Sequence, residues 1–228
     1  FIFRYRTDYT MNTKNVLQTR VSHAAFEMRL QNGDLFGWVP HTRFDTFSAP
    51  FTNRAGVWII PPGSYSWWNN GLRYTLNPGR RISGQAINWA WHIGYYGGGT
   101  LHDINFNPRI RITNQLSGQV GYNISKATFP SRMCADKQAA SCGFTDHVVN
   151  ARVNFNFNNQ WLTSTIVQYN NVDHLWGVNF RLNYIFRPGD DFFLIYNEGR
   201  RFRDDHTGLA YGPNERTLQA KLTYSFDF

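Results

Sequence analysis

The strongest constraint on this chain is an alternation of apolar and polar residues with a period of two. Its cleanest instance is 176–186, where Trp176, Val178, Phe180, Leu182, Tyr184 and Phe186 alternate with Gly177, Asn179, Arg181 and Asn183. The closing stretch, 217–228, repeats it. Leu218, Ala220, Leu222, Tyr224, Phe226 and Phe228 fall on one parity; Thr217, Gln219, Lys221, Thr223, Ser225 and Asp227 fall on the other. A strand sends successive side chains to opposite faces, so each stretch predicts a strand with one apolar and one polar face. No run approaches the ~18–20 consecutive apolar residues of a membrane-spanning helix. A membrane crossing by this chain would therefore use strands closed into a barrel, because only helices and closed barrels satisfy the backbone in lipid.

The same reading places twelve strands, at 1–9, 16–30, 35–45, 64–76, 80–95, 101–113, 116–125, 152–157, 161–170, 176–186, 191–198 and 217–228. The turns after strands two, four, six, eight and ten are short: QNGD, NPG, TNQ, NNQ and RPGD. Gly and Pro set the geometry of three of them. The connections after three, seven and eleven are long, at 46–63, 128–146 and 200–214, and the first of these holds Pro50, Pro61 and Pro62. Alternate connections of an antiparallel barrel lie on one side, and outer-membrane barrels have short periplasmic turns and longer outer loops. The expected fold is an all-β, antiparallel transmembrane β-barrel spanning 1–228, with its C-terminus periplasmic. A soluble sandwich shows no such two-sided length bias. Trp67, Trp68, Trp89, Trp91, Trp161, Trp176, Tyr184 and Tyr224 lie mostly near strand ends, as interfacial girdles require.

Composition agrees with that class. Aromatics make up 17% of residues while the mean hydropathy is −0.48, a pairing natural to a protein apolar outside and polar inside. The net charge of +8 comes from basic residues scattered singly along the strands, which argues against a nucleic-acid partner. The chain begins at Phe1 with no signal peptide, as expected of a mature form, a fragment or part of a longer protein. Cys134 and Cys142 have seven residues between them and no companions at zinc spacing. They are candidates for a loop disulfide in an oxidising compartment, with free thiols as the alternative.

From about Gly33 to Phe202 the sequence resembles a family of uncharacterised bacterial outer-membrane β-barrel proteins. The residues that carry this are GVWIIPPGSYSWWNN (56–70), VQYNN (167–171) and RPGDDFFLIYNEG (187–199). Full-length members of that family carry a family-9-type carbohydrate-binding module ahead of the barrel. The resemblance thus implies that this chain is the C-terminal barrel part of a longer protein. It implies no catalytic residues. A final strand ending on phenylalanine is also similar to the signal that such barrels present to their assembly machinery, which singles out Leu222, Tyr224, Phe226 and Phe228.

Chemistry is sparse. Ser164, His174 and Asp173 are the nearest approach to a hydrolase constellation, without a Gly-x-Ser-x-Gly elbow. His102 and Asp103 are adjacent on a strand and point to opposite faces; Asp204, Asp205 and His206 read as a solvated loop cluster or a weak cation site. No catalytic residue, cofactor or metal is expected. Arg4, Arg6, Arg29, Arg109, Arg111, Arg152 and Arg181 all fall on the polar parity, with Glu27 and Asp8 among few counter-charges. They either line an anion-leaning pore or pair with carboxylates and asparagines and fill the barrel. Lys126, Arg132 and Lys137 are candidates for lipopolysaccharide phosphates. The functional expectation is a non-enzymatic, porin-like channel or transporter for small polar solutes, saccharides by resemblance. The alternative is a non-conducting structural or docking barrel, its lumen plugged by loop 46–63 or 128–146; a barrel-embedded hydrolase ranks third. Expected partners are outer-membrane lipid and lipopolysaccharide, the barrel-assembly machinery and other protein subunits.

Overall fold

The computed structural model describes residues 1–52, 56–172, 174–201 and 213–225. The strands are β1 (Ile2–Met11), β2 (Leu17–Arg29), β3 (Leu35–Trp38), β4 (His41–Phe47), β5 (Phe51–Thr52), β6 (Ile59–Ile60), β7 (Gly63–Leu76) and β8 (Ile82–Tyr95). They continue with β9 (Gly99–Arg111), β10 (Leu116–Pro130), β11 (Ser141–Asn156), β12 (Trp161–Asn170), β13 (Leu175–Arg187), β14 (Asp190–Arg201) and β15 (Pro213–Thr223). A 3-10 turn, Ser131–Met133, follows β10. Thirteen strands share one sheet in the order β1-β2-β3-β7-β8-β9-β10-β11-β12-β13-β14-β15, with β4 also lying between β2 and β7; β5 and β6 form a separate hairpin. The all-β, antiparallel expectation is borne out.

Three stretches depart from plain strand alternation. The third strand breaks into β3 and β4 at Val39-Pro40, because proline brings no N–H to the ladder. The join stays anchored, since Val39 N–H donates to Gly71 O and Ala24 N–H to Pro40 O. Nine of the nineteen residues of 128–146 are strand, leaving 131–140 between β10 and β11; Phe129 and its neighbour Ala127 are buried by contact with distant residues, which alternation alone does not show. Lastly, Gly94 has φ +74. This positive φ shifts the alternation, so Tyr95 leaves the parity of Ile87, Trp89, Trp91 and Ile93 and packs edge-on against Trp67.

The chain divides into two compact units: Phe1–Asn77 with Gln85–Asn105 and Ile124–Asp146, and Pro78–Gly84 with Phe106–Asn123 and His147–Phe228. In the first unit, register puts Ile2, Glu27, Gly37 and Arg73 in one cross-strand row and Val21, Arg43 and Trp67 in another on the same face. Phe3, Phe26 and Trp38 form a row on the opposite face, with Phe3 tilted against Phe26 at 4.9 Å and Phe26 stacked on Trp38 at 5.3 Å. The core of this unit is Trp58, Ile60, Leu101, Ala127, Phe129 and Met133, flanked by Phe47, Tyr65, Tyr95 and Tyr96. Trp58 and Ile60 come from the connection between β4 and β7, so this loop folds down onto the sheet.

In the second unit the rows run across five strands. On one face they read Asn150-Gln168-Gly177-Gly199-Glu215, then Arg152-Ile166-Asn179-Asn197-Thr217, then Asn154-Ser164-Arg181-Ile195-Gln219. The other face carries Ala151, Val167 and Val178, then Val153, Thr165, Phe180, Tyr196 and Leu218, then Phe155, Thr163, Leu182, Leu194 and Ala220. Glu198 on that face is paired with Arg200 and Arg216 at the loop end.

Two short turns use the same device. QNGD and RPGD both end in Gly-Asp, with Gly33 at φ +82 and Gly189 at φ +94. The aspartates are 1% exposed. Asp34 accepts Asn77 N–H at 2.8 Å and the Tyr74 hydroxyl at 2.8 Å; Asp190 accepts Ser225 N–H at 2.6 Å. Each carboxylate ties its turn to the end of the neighbouring strand through a charge-assisted hydrogen bond.

Candidate functional site

The residues nominated on the polar parity divide sharply. In the first unit, Glu27 lies buried between two guanidinium groups: Arg4 donates to it at 2.7 Å, and Arg73 pairs with its other oxygen. Gly37 makes this possible, because a Cβ there would sit 2.8 Å from Arg73 Nε. Arg6 pairs with Asp8 at 2.7 Å. Arg29 is exposed beside the turn after β2. Further along this face, Trp67 Nε1 donates to His92 Nδ1 at 3.0 Å, His92 Nε2 lies 3.7 Å from Asp103, and Ser125 donates to Asp103 at 2.6 Å. Ser, His and acid are all present, yet the serine proton faces the carboxylate and not the imidazole. This order activates no nucleophile.

The loop between β4 and β7 covers the same face. Trp58 packs tilted against Phe129 at 5.0 Å and forms a bridge with Cys134, which is joined to Cys142 by a disulfide. Tyr65 donates to Pro61 O at 2.7 Å, and Tyr96 donates to Asp45 at 3.3 Å. Burial, with Tyr95 and Asp45 nearby, pushes the Tyr96 hydroxyl above the usual tyrosine range. Trp67 is 3% exposed within this packing and is no girdle residue, whereas its neighbour Trp68 is 58% exposed on the other face.

The polar face of the second unit is open. Arg109 and Arg181 line a cavity of about 420 Å³ with Ser117, Asn154, Ser164 and Asn183. Arg152 lines another of about 320 Å³ with Asn107, Gln119, Asn150 and Gln168. A third, of about 450 Å³, has Gln168, Asn179, Asn197, Glu215 and Thr217 around it. The amides are cross-linked: Asn179 donates to Asn197, Asn197 to Thr217 at 3.2 Å, and Gln119 to Asn107 at 2.8 Å. Arg111, beyond Arg109, is exposed. The structure thus brings Arg109, Arg152 and Arg181 onto one face of one unit and ties Arg4 and Arg6 to carboxylates in the other. The glycines and Glu215 of the third cavity escaped the sequence reading; the one available signal was Gly177 and Gly199 interrupting otherwise strong strands.

Other nominated residues stay apart. Ser164 lies six positions down β12 from Asn170, about 20 Å at strand rise, while His174 sits in the turn beyond that end, with φ +48. His102 faces Trp89 Nε1 at 3.3 Å, on the side away from Asp103. Arg132 is bonded to Gly97 O, and Lys137 donates to Cys134 O at 3.0 Å. Leu222 is exposed on the apolar face, and Tyr224, just past the end of β15, is exposed as well. Phe226, Phe228, Asp173, Asp204, Asp205 and His206 lie outside the described residues.

No family model and no curated protein matches this chain. Among solved structures it is similar to a KdgM porin in complex with disordered oligogalacturonate. The two are 11% identical over 99% of this chain and 97% of the other, with a TM-score of 0.34.

Proposed function

We propose that the chain is a porin-like β-barrel of a bacterial outer membrane, passing small polar solutes with a preference for anions. The observation that carries this reading is the two-faced sheet of the second unit. Its apolar face has two aromatic tiers: Trp161 stacked on Tyr184 at 4.3 Å, and Tyr169 against Trp176 at 5.0 Å. The eight residue-to-residue steps from Trp161 to Tyr169 span about 26 Å along the strand, or about 20 Å of height at a barrel tilt of ~40°. Valines, leucines, threonines and Phe180 fill the interval. An apolar band ≈ 25 Å tall between aromatic girdles is what a bilayer demands of a barrel. The opposite face, with Arg109, Arg152 and Arg181 among amides, suits a water-filled lumen that favours anions.

In this reading the short turns are periplasmic, Leu222 and Tyr224 meet the assembly machinery, and the exposed apolar face meets lipid. Lys126, Arg132 and Lys137 stand toward lipopolysaccharide, and bound lipid unchanged by their neutralisation would count against that contact. The resemblance to barrels with a carbohydrate-binding module supports saccharides as solutes. The deciding experiment is the reversal potential of purified protein in planar bilayers under a salt gradient. An anion-selective conductance is expected; cation selectivity overturns the anion preference.

A second reading has its own observation. Trp58 and Ile60 place the loop between β4 and β7 on the polar face of the first unit, as a plug would lie in a non-conducting docking barrel. Deleting 48–62 separates the two. Under the channel reading the intact protein already conducts; a protein that conducts only after the deletion is the docking barrel with its plug removed.

A further inference from the structure

We infer that the cavity of about 450 Å³ at the loop end of β12 to β15 is a binding subsite for a neutral saccharide ring. Gly177 and Gly199 face each other across β13 and β14, walled by Gln168 on β12 and Glu215 on β15. Glycine weakens a strand interior and often marks a place where a ligand or another backbone comes close. The usual structural reasons for it are missing here. Neither glycine has a positive φ, and a Cβ on either would meet nothing within 4 Å. Two directly opposed glycines therefore leave a bare backbone shelf with open space above it.

The lining matches a sugar better than other small ligands. Gln168, Asn179, Asn197 and Thr217 supply groups that both donate and accept, as sugar hydroxyls do. Gln168 and Glu215 make no side-chain hydrogen bond among the described residues and are available to a guest. Ile166 and Leu175 add apolar surface for the C–H face of a ring. Among the described residues no lysine or arginine lines this cavity, unlike its two neighbours, which hold Arg152 or the pair Arg109 and Arg181. A phosphate or uronate would meet the carboxylate of Glu215 with no cation in the described lining to receive it, so the chemistry selects an uncharged polyol. The volume falls within the ~300–1,000 Å³ range of small-ligand sites.

This inference rests on the polar face being solvent-filled, though not on the protein conducting. The test is calorimetric titration of the full chain, folded in a detergent without a sugar headgroup, with maltotriose, cellotriose and xylotriose, and with trigalacturonate as the charged control. At least one neutral trisaccharide should bind, and Gly199→Val should weaken it at least tenfold. The open space above Gly199 accepts the new side chain without disturbing the strand, and a β-branched residue suits that position. Arg152→Ala should leave binding of the neutral sugar within about twofold. Equal binding by Gly199→Val overturns the proposal, as does binding of trigalacturonate alone. A protein that binds but carries no current keeps this subsite and sinks the channel reading. One that conducts and binds none of the neutral trisaccharides does the reverse.

Discussion

The polar faces of the two units follow the same alternation and end in different states. In the first, Arg4 and Arg73 converge on Glu27, Trp67, His92, Asp103 and Ser125 form a closed chain, and a loop carrying Trp58 and Ile60 lies on top. In the second, arginines and amides face open cavities. A polar strand face can thus be consumed as packing or kept as a working surface. What separates the two is whether large rings and opposite charges are supplied from elsewhere in the chain. Stability should reside in the filled face and solute contact in the open one.

Trp58→Ala should have the largest effect on stability, about 3–5 kcal/mol as for other buried large-to-alanine changes, concentrated on the loop it anchors. Limited proteolysis within 48–62, alongside urea unfolding of vesicle-folded protein, would show it. A loop that stays protected means the cluster is not its anchor. Next comes Glu27→Ala, which leaves two guanidinium groups without their shared carboxylate. Breaking a buried pair costs ~3–5 kcal/mol; because Arg4 is 61% exposed, a value at the lower end, about 3 kcal/mol, is expected from the same unfolding midpoints. Asp34→Asn should cost about 1–3 kcal/mol, since a carboxylate receiving two donors is replaced by a half-donating amide. Retention of full stability would show that the Gly-Asp turns are not tied in as the structure has them. The smallest change belongs to the open face: Arg181→Ala should shift stability by no more than about 0.5 kcal/mol while reducing anion selectivity in bilayers. A large loss of stability there would erase the contrast between the units.

The second unit was the more legible in sequence. Trp176 to Phe186 alternates without a break, and register places Arg152 and Arg181 on the face that parity assigned them. The first unit misleads at particular residues. Pro40 splits a strand, Gly94 moves Tyr95 to the other parity, and adjacent Trp67 and Trp68 look alike as girdle candidates although only one is exposed. Segment 128–146 reads as loop because its composition is polar, and Phe129 is buried against Tyr95 and against Trp58, seventy-one positions earlier. The Gly-Asp ending shared by QNGD and RPGD was in view, but a turn motif does not name the distant backbone amide it will cap.

The sequence by itself determined that the chain makes antiparallel two-faced strands, since period-two alternation and turn residues act through the covalent geometry of neighbouring positions. It determined as well which parity carries arginine. Only the tertiary structure decided which polar face is filled and which is open, and that Gly177 and Gly199 fall side by side. Those outcomes depend on register and packing between residues far apart in the chain, and no local pattern encodes them.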